Sequence, residues 1–358
     1  MTLLLTNDEV EQALEPEDAI AATESIYREL AEGKARNRAR SQVYLPAESR
    51  AHPGFHYRMK TQEGGSLDCG LWALRITSDM AGFSHTAGVK RRRLLPVATG
   101  GKFCGLVMLF DVERIEPIAI LPDGVIQKVR VAALSAVGAR YLAPSEPKVL
   151  GLFGSGWQAG AHLEFLAAQH RFDRIKVYSP NQEHCRAFAR GMSEKLERPV
   201  EAVATPKDAV DGSDFVQAAT AAWDPVFDGR WLEKGMYVAS IGGSDASNKR
   251  REIDDETIRR SDVYFVHSKE VARNDESPDV WEAAQKGLIR WDDIGEIQEL
   301  LVGARPGRTG PEQITLFNNN TGAGTQFAAV GAAVVKRARA LGLGRELPTE
   351  WFLESVSP

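Results

Sequence analysis

Cysteine is scarce in this chain. Cys69, Cys104 and Cys185 are far apart, odd in number and without CxxC spacing, so neither a disulfide framework nor a thiolate zinc site is expected, and no metal is assigned. No GxSxG motif occurs, and the histidines fall in no nucleophile motif, which leaves hydrolase chemistry without support. No apolar run is long enough to cross a membrane. The opening MTLLLTNDEVEQAL has neither a basic leader nor an extended apolar stretch, so secretion is not expected and a cytoplasmic protein is. A net charge of −5 with a pI near 5.9 gives no global attraction to nucleic acid. The one local basic run, Lys90 to Arg93, reads as a solvated loop, with attraction of an anionic substrate as its functional alternative. Neither internal repeats nor low-complexity segments are present.

With 358 residues, 43% hydrophobic and 26% charged, the chain can bury a sizeable core and is long enough for two domains. From Lys148 onward, short apolar strands alternate with helical stretches. VLGLFG (149–154), IKVYS (175–179), EAVA (201–204), FVQAAT (215–220), MYVASIG (236–242) and VYFVHS (263–268) read as strands. Residues 157–170 and 182–196, and a short turn near Pro206, read as helices. That rhythm predicts an α/β fold with a doubly wound parallel sheet of Rossmann type. The first 120 residues lack it, although LWALRI (71–76) and GLVMLFD (105–111) read as strands, and they predict a second, α+β domain. A helix over 127–142 stops before Pro144 and Pro147. A further helix over 322–341, rich in alanine and valine, ends at Gly342 and Gly344. The expected division is 126–319 for the nucleotide domain and 1–125 plus 320–358 for the other.

The sequence VLGLFGSGWQAG (149–160) sets Gly154, Gly156 and Ala159 as GxGxxA between a buried strand and a helix. Gly154 allows the tight turn, Gly156 lets the backbone approach a pyrophosphate, and Ala159 lets helix and strand pack closely. The helix N-terminus adds free N–H groups and partial positive charge. Ser155, Trp157 and Gln158 complete the loop. Where an NAD-selective domain carries an acidic residue at the end of its second strand, this chain has Ser179, Pro180 and Asn181. Arg186 lies close by as a group that could meet a 2′-phosphate. NAD is the expected cofactor, with NADP open, and Thr220 at the end of the fourth strand is a further candidate contact.

With this motif placed, most of the chain resembles the ornithine cyclodeaminase and μ-crystallin family. KVRVAALSAVGARYLA (128–143) is similar to the family's helix opening on an Arg-Thr-Ala-Ala-like motif, with valine in place of threonine. DPVFDG (224–229), SIGGSDASNKRREID (240–254) and LFNNNTGAGTQF (316–327) resemble further family segments. The resemblance implies a homodimer, a substrate and dimerisation domain built from the N-terminal region and the last helix, and chemistry at the α-carbon of an amino or imino acid.

An α-carboxylate calls for a forked cation, and protons on nitrogen call for a carboxylate. The family's carboxylate ligands are an early arginine, a strand lysine and the helix arginine. Arg38 or Arg40 in RARS looks like the first and Arg130 like the third. At the lysine position stands Arg75, a departure that keeps the charge but changes its shape, and suggests a differently shaped or doubly anionic substrate or a shifted binding mode. Arg58 and Lys60, in YRMKTQEGG, border the same site. Asp245, after Gly242 and Gly243, corresponds to the family's catalytic aspartate, expected to exchange a proton with the substrate nitrogen. For the cations the competing reading is a structural ion pair. For Asp245 it is a turn residue. Asp254 and Asp255 read as helix-start residues. The implied function is an NAD(P)-dependent imino acid reductase or amino acid dehydrogenase acting on a small amino, imino or keto acid. The alternatives are a cyclodeaminase using bound NAD catalytically and a μ-crystallin-like ligand-binding protein.

Overall fold

The computed structural model describes residues 1–86, 89–243, 249–320 and 322–356, and of 83–92 the backbone only. The chain forms two compact units, Met1–Arg130 with Ala323–Pro358, and Val131–Gly322.

The first unit is built on a mixed, mainly antiparallel sheet. Its strands are β1 (Thr2–Leu4), β2 (Ala35–Asn37), β3 (Ser41–Tyr44), β4 (Phe55–Ser66), β5 (Leu71–Thr86), β6 (Val89–Leu95), β7 (Cys104–Asp111), β8 (Pro117–Pro122) and the C-terminal β17 (Arg345–Leu347). They run in the order β17-β1-β8-β7-β5-β4-β2, with β3 on β4 and β6 on β5. The helices are α1 (Asn7–Gln12), α2 (Pro16–Ala31), α11 (Gly324–Leu341) and the first part, up to Arg130, of α3 (Asp123–Leu142), which follows β8. Successive side chains of a strand face opposite ways. Hence Val107, Leu109, Ala119 and Leu121 are fully buried on one face, while the other carries Leu106, Met108 and Ile120. Glycine lets α11 close on this sheet: a Cβ on Gly331 would sit 2.8 Å from Leu109, and one on Gly64 2.8 Å from the Thr325 nitrogen. The basic run expected to be a loop instead lies on β6, paired antiparallel with β5. Alternating register with a long partner strand outweighs the charge pattern there.

The second unit is a wholly parallel sheet of eight strands among the described residues, ordered β11-β10-β9-β12-β13-β16-β14-β15. The strands are β9 (Val149–Phe153), β10 (Arg174–Tyr178), β11 (Val200–Ala202), β12 (Phe215–Ala218), β13 (Tyr237–Ser240), β14 (Val263–Val266), β15 (Ile294–Glu296) and β16 (Thr315–Asn318). Between them run α4 (Trp157–Gln169), α5 (Gln182–Leu196), α6 (Pro206–Val210), α7 (Asp255–Arg260), α8 (Lys269–Asn274), α9 (Ala283–Gln285) and α10 (Ile297–Leu301). Burial on both faces explains why the strands read as continuous apolar runs. Leu150, Leu152, Val216, Ala218, Val238, Ala239 and Leu316 are all fully buried. The strand order reverses between β9 and β12, the place where such sheets open a crevice at the carboxyl ends of their strands.

Candidate active site

In the second unit, β9 ends at Phe153 and the glycine turn leads straight into α4. Gly154 has φ +112, and a Cβ there would stand 2.4 Å from the Ala219 carbonyl oxygen, so only glycine fits. Gly156 is the N-terminal cap of α4, and among the described residues no side chain caps that helix and a Cβ at Gly156 would meet nothing within 4 Å. Ala159 is fully buried under the turn. Unpaired helix N–H groups beside open space at a glycine are what a pyrophosphate requires, so the residues present fit a dinucleotide. Gln158 adds a buried Oε1 without a partner among the described residues. Ser155 Oγ lies 3.0 Å from His184 Nδ1, a neighbour of the loop that the sequence reading missed. The Asn181 side chain accepts from the His184 N–H and is therefore engaged in capping α5. Ser179, half-buried, gives its carbonyl to Gln182, and Trp157 is half exposed. Thr220 donates from both its N–H and its hydroxyl to Glu252, at 2.5 and 2.7 Å. Its hydroxyl proton is thus committed to a buried carboxylate. Asp245 lies outside the described residues.

In the first unit, period-two alternation lines up Arg58, Lys60 and Gln62 on one face of β4, opposite Asp79, Thr77 and Arg75 of β5. All but Lys60 are under 10% exposed. A buried polar face is unusual, because each group must be paired or cost free energy. Arg75 answers this with Nε and Nη2 on Asp123 Oδ2, at 2.8 and 2.6 Å, and Nη1 on Gln62 Oε1 at 2.7 Å. Gly105 makes room for Asp123, since a Cβ there would come within 2.2 Å of its Oδ1. Three of Arg75's five N–H donors are thereby engaged, leaving one on each terminal nitrogen among the described residues.

Arg130 approaches the same place from α3. Its Nη1 donates to Gln326 Oε1 at 2.8 Å, and the Gln326 amide nitrogen donates to Tyr27 Oη at 2.8 Å. The guanidiniums of Arg75 and Arg130 both stand over the Phe327 ring, 5.4 and 5.3 Å from its centre. No carboxylate of the described residues comes within ion-pair range of Arg130. Burial, reinforced by Arg75, pulls its pKa down to about 9.

The remaining candidates separate. Arg40, half-buried, adds its positive field to Arg130, whereas Arg38 is 72% exposed and paired with Glu63 at 2.8 Å. Arg58 has no exposed surface and is paired with Asp79 at 2.6 Å. Lys60 Nζ lies 3.6 Å from the same carboxylate and keeps 15% exposure. Gln62, Asp123, Gln326 and Phe327 escaped the sequence reading. The alternation Arg58-Lys60-Gln62 was the signal that could have exposed the first.

Comparisons with known proteins agree with this architecture. Residues 76–340 match the model of the ornithine cyclodeaminase/mu-crystallin family. The chain is 28% identical over 345 residues to iminosuccinate reductase of Paracoccus denitrificans, covering 96% of this chain and 99% of that one. The solved structure of that enzyme with NAD+ superposes with a TM-score of 0.79 over 97% of this chain and 99% of the other, at 25% identity. The chain is 31% identical over 244 residues to a Delta(1)-pyrroline-2-carboxylate reductase of Bacillus cereus, 68% of this chain and 74% of that one. The Thermococcus litoralis enzyme of that name, in complex with NADH and L-proline, gives a TM-score of 0.81 at 26% identity, covering 97% of this chain and all of the other. The chain belongs to the ornithine cyclodeaminase/mu-crystallin family.

Proposed function

We propose that this protein is an NAD-dependent reductase of a small α-imino acid, whose carboxylate is received by Arg130 and Arg75. The observation that carries the reading is Arg130, a buried guanidinium whose hydrogen-bond partners among the described residues are the amide oxygens of Gln326 and Gln127. A buried charge without a counter-ion is costly, and a substrate carboxylate would offset that cost. The free donors of Arg75, on the same aromatic ring, complete a forked receptor. Both kinds of named relative act on a carbon–nitrogen double bond beside a carboxylate, which supports the reaction class. The relative matched over almost the whole chain takes a dicarboxylic imine, and Lys60, with Arg40 nearby, would suit a second anionic group.

NADH supplies the hydride when bound at the glycine loop. The rest falls to the chain's own residues. The cations hold the carboxylate so that the α-carbon keeps one orientation. Asp245 is proposed to stabilise the protonated imine, whose positive charge disappears as the α-carbon is reduced. Homodimer formation is part of the proposal. The outer face of the first sheet presents Leu74, Ile76, Met108 and Phe110, with Met59 and Leu106 at 37% and 42% exposure, an apolar surface suited to a second copy.

A panel of pyruvate, oxaloacetate, 2-oxoglutarate and a cyclic α-imine, each with ammonia where needed, tests the reading through NADH absorbance. NADH consumption with at least one α-imine is expected, with the dicarboxylic members foremost. Release of ammonia from a diamino acid without net change in NADH would favour the cyclodeaminase alternative.

A further inference from the structure

The carboxyl ends of β12 and β13, which border the dinucleotide site, are tied together by one buried side chain. Glu252 accepts from Thr220 at the end of β12 through Oε1 and from the Ile241 N–H, just past β13, through Oε2 at 2.8 Å. It is itself fully buried. What holds Glu252 is the segment around it. Arg251 N–H donates to the Trp223 carbonyl and Val226 N–H to the Glu252 carbonyl. Beneath this segment lies Asp279, 1% exposed, whose Oδ1 accepts from Arg251 Nε at 2.7 Å, with the Glu252 backbone N–H close by.

The element that delivers Asp279 is irregular. Glu276 has φ 46, the left-handed region that a residue with a side chain seldom occupies. Pro278–Glu282 then forms a turn of π-helix, a rare geometry frequent at functional sites. The π-helical segment grips the chain at further points: Lys249 pairs with Glu276 at 2.9 Å and with Glu282 at 2.5 Å. Among the described residues Asp279 Oδ2 is buried without a partner. A buried unpaired carboxylate oxygen beside a second buried carboxylate is costly for packing alone.

We propose that Asp279 is a positioning residue for the dinucleotide site: ionised, it holds Arg251 and Glu252, and through Glu252 it sets the ends of β12 and β13, and a proton on Asp279 releases that hold. The groups facing it are Arg251 and Glu252 on the segment before α7, Asp255 of α7 paired with Arg251 at 2.7 Å, and Tyr264 of β14, whose hydroxyl donates to the Asp279 carbonyl at 2.7 Å. Burial pushes the Asp279 carboxyl up to about 7, Glu252 adds to the rise and Arg251 opposes it. The charged, holding form therefore predominates above about pH 7 and is lost below it.

The proposal rests on the reading that this unit binds NADH, so the test is NADH binding itself, followed by fluorescence titration between pH 5.5 and 8.5. Wild-type affinity should fall about fivefold or more as pH drops through about 7, the low end of ordinary coupling between sites. Asp279→Asn should bind weakly with no such transition. Because a raised folded-state pKa means that stability is full below the unfolded value near 4 and is lost as pH rises through about 7, this variant should melt at or above wild type at pH 8. Arg251→Gln removes the cation that favours the charged form and should move the binding midpoint to higher pH, which decides the matter even if Asp279→Asn fails to fold. Wild-type binding flat in pH, or a transition unchanged in both variants, would overturn the proposal. Absence of NADH binding at every pH would instead overturn the cofactor reading, and this one with it.

Discussion

A guanidinium packed on Phe327 with amide oxygens as partners, as at Arg130, is a placement that a carboxylate ligand would repay. Hydrogen bonds to charged groups contribute about 1.5 to 3 kcal/mol, so Arg130→Ala should raise KM for an imino acid by about tenfold to a hundredfold while NADH affinity stays unchanged. Wild-type kinetics in that variant would remove Arg130 from the site. Asp245 makes the complementary prediction. A carboxylate beside the reacting nitrogen matters more in the transition state than in cofactor binding. Asp245→Asn should therefore lower kcat by about a hundredfold and leave NADH affinity within a few-fold, as steady-state kinetics with direct titration would measure. At this scale the sequence yielded the cations, because charge is visible in letters. It did not yield Asp123, Gln62 or Gln326, whose importance comes from contacts between residues 48, 13 and 196 positions apart in the chain.

The glycine turn between β9 and α4 was legible almost in full, because its constraints are local: a positive φ at Gly154, open space at Gly156 and a fully buried Ala159. Gly156→Val would place a branched side chain in that space and restrict the backbone of the α4 cap. NADH binding measured calorimetrically should fall below detection, while circular dichroism remains that of the wild type. Retained affinity in a folded variant would move the nucleotide elsewhere. Non-local elements were harder to read. Thr315–Asn318 forms a central strand between β13 and β14, yet its sequence suggested only a family segment, since pairing with strands far away in the chain leaves no local mark. The basic run on β6 was misread for the same reason.

At the scale of the whole molecule, the alternation of strand and helix announced the parallel sheet, and the absence of that rhythm marked the first unit as different. The sheet of that unit has two chemically distinct faces, one bearing buried ion pairs and one bearing exposed apolar side chains. If the latter face joins two copies, Ile76→Glu should convert a dimer into a monomer in analytical ultracentrifugation, because a charge at the centre of an apolar interface cannot be paired. A variant that sediments as wild type would exclude that face. The central claim, direct hydride transfer to the α-carbon of an imino acid, is tested most directly with NADH deuterated at C4, prepared separately in its two stereochemical forms. One form should place a single deuterium on the α-carbon of the amino acid product, seen as one additional mass unit, and the other should place none. An amino acid product free of deuterium with both forms would contradict the account.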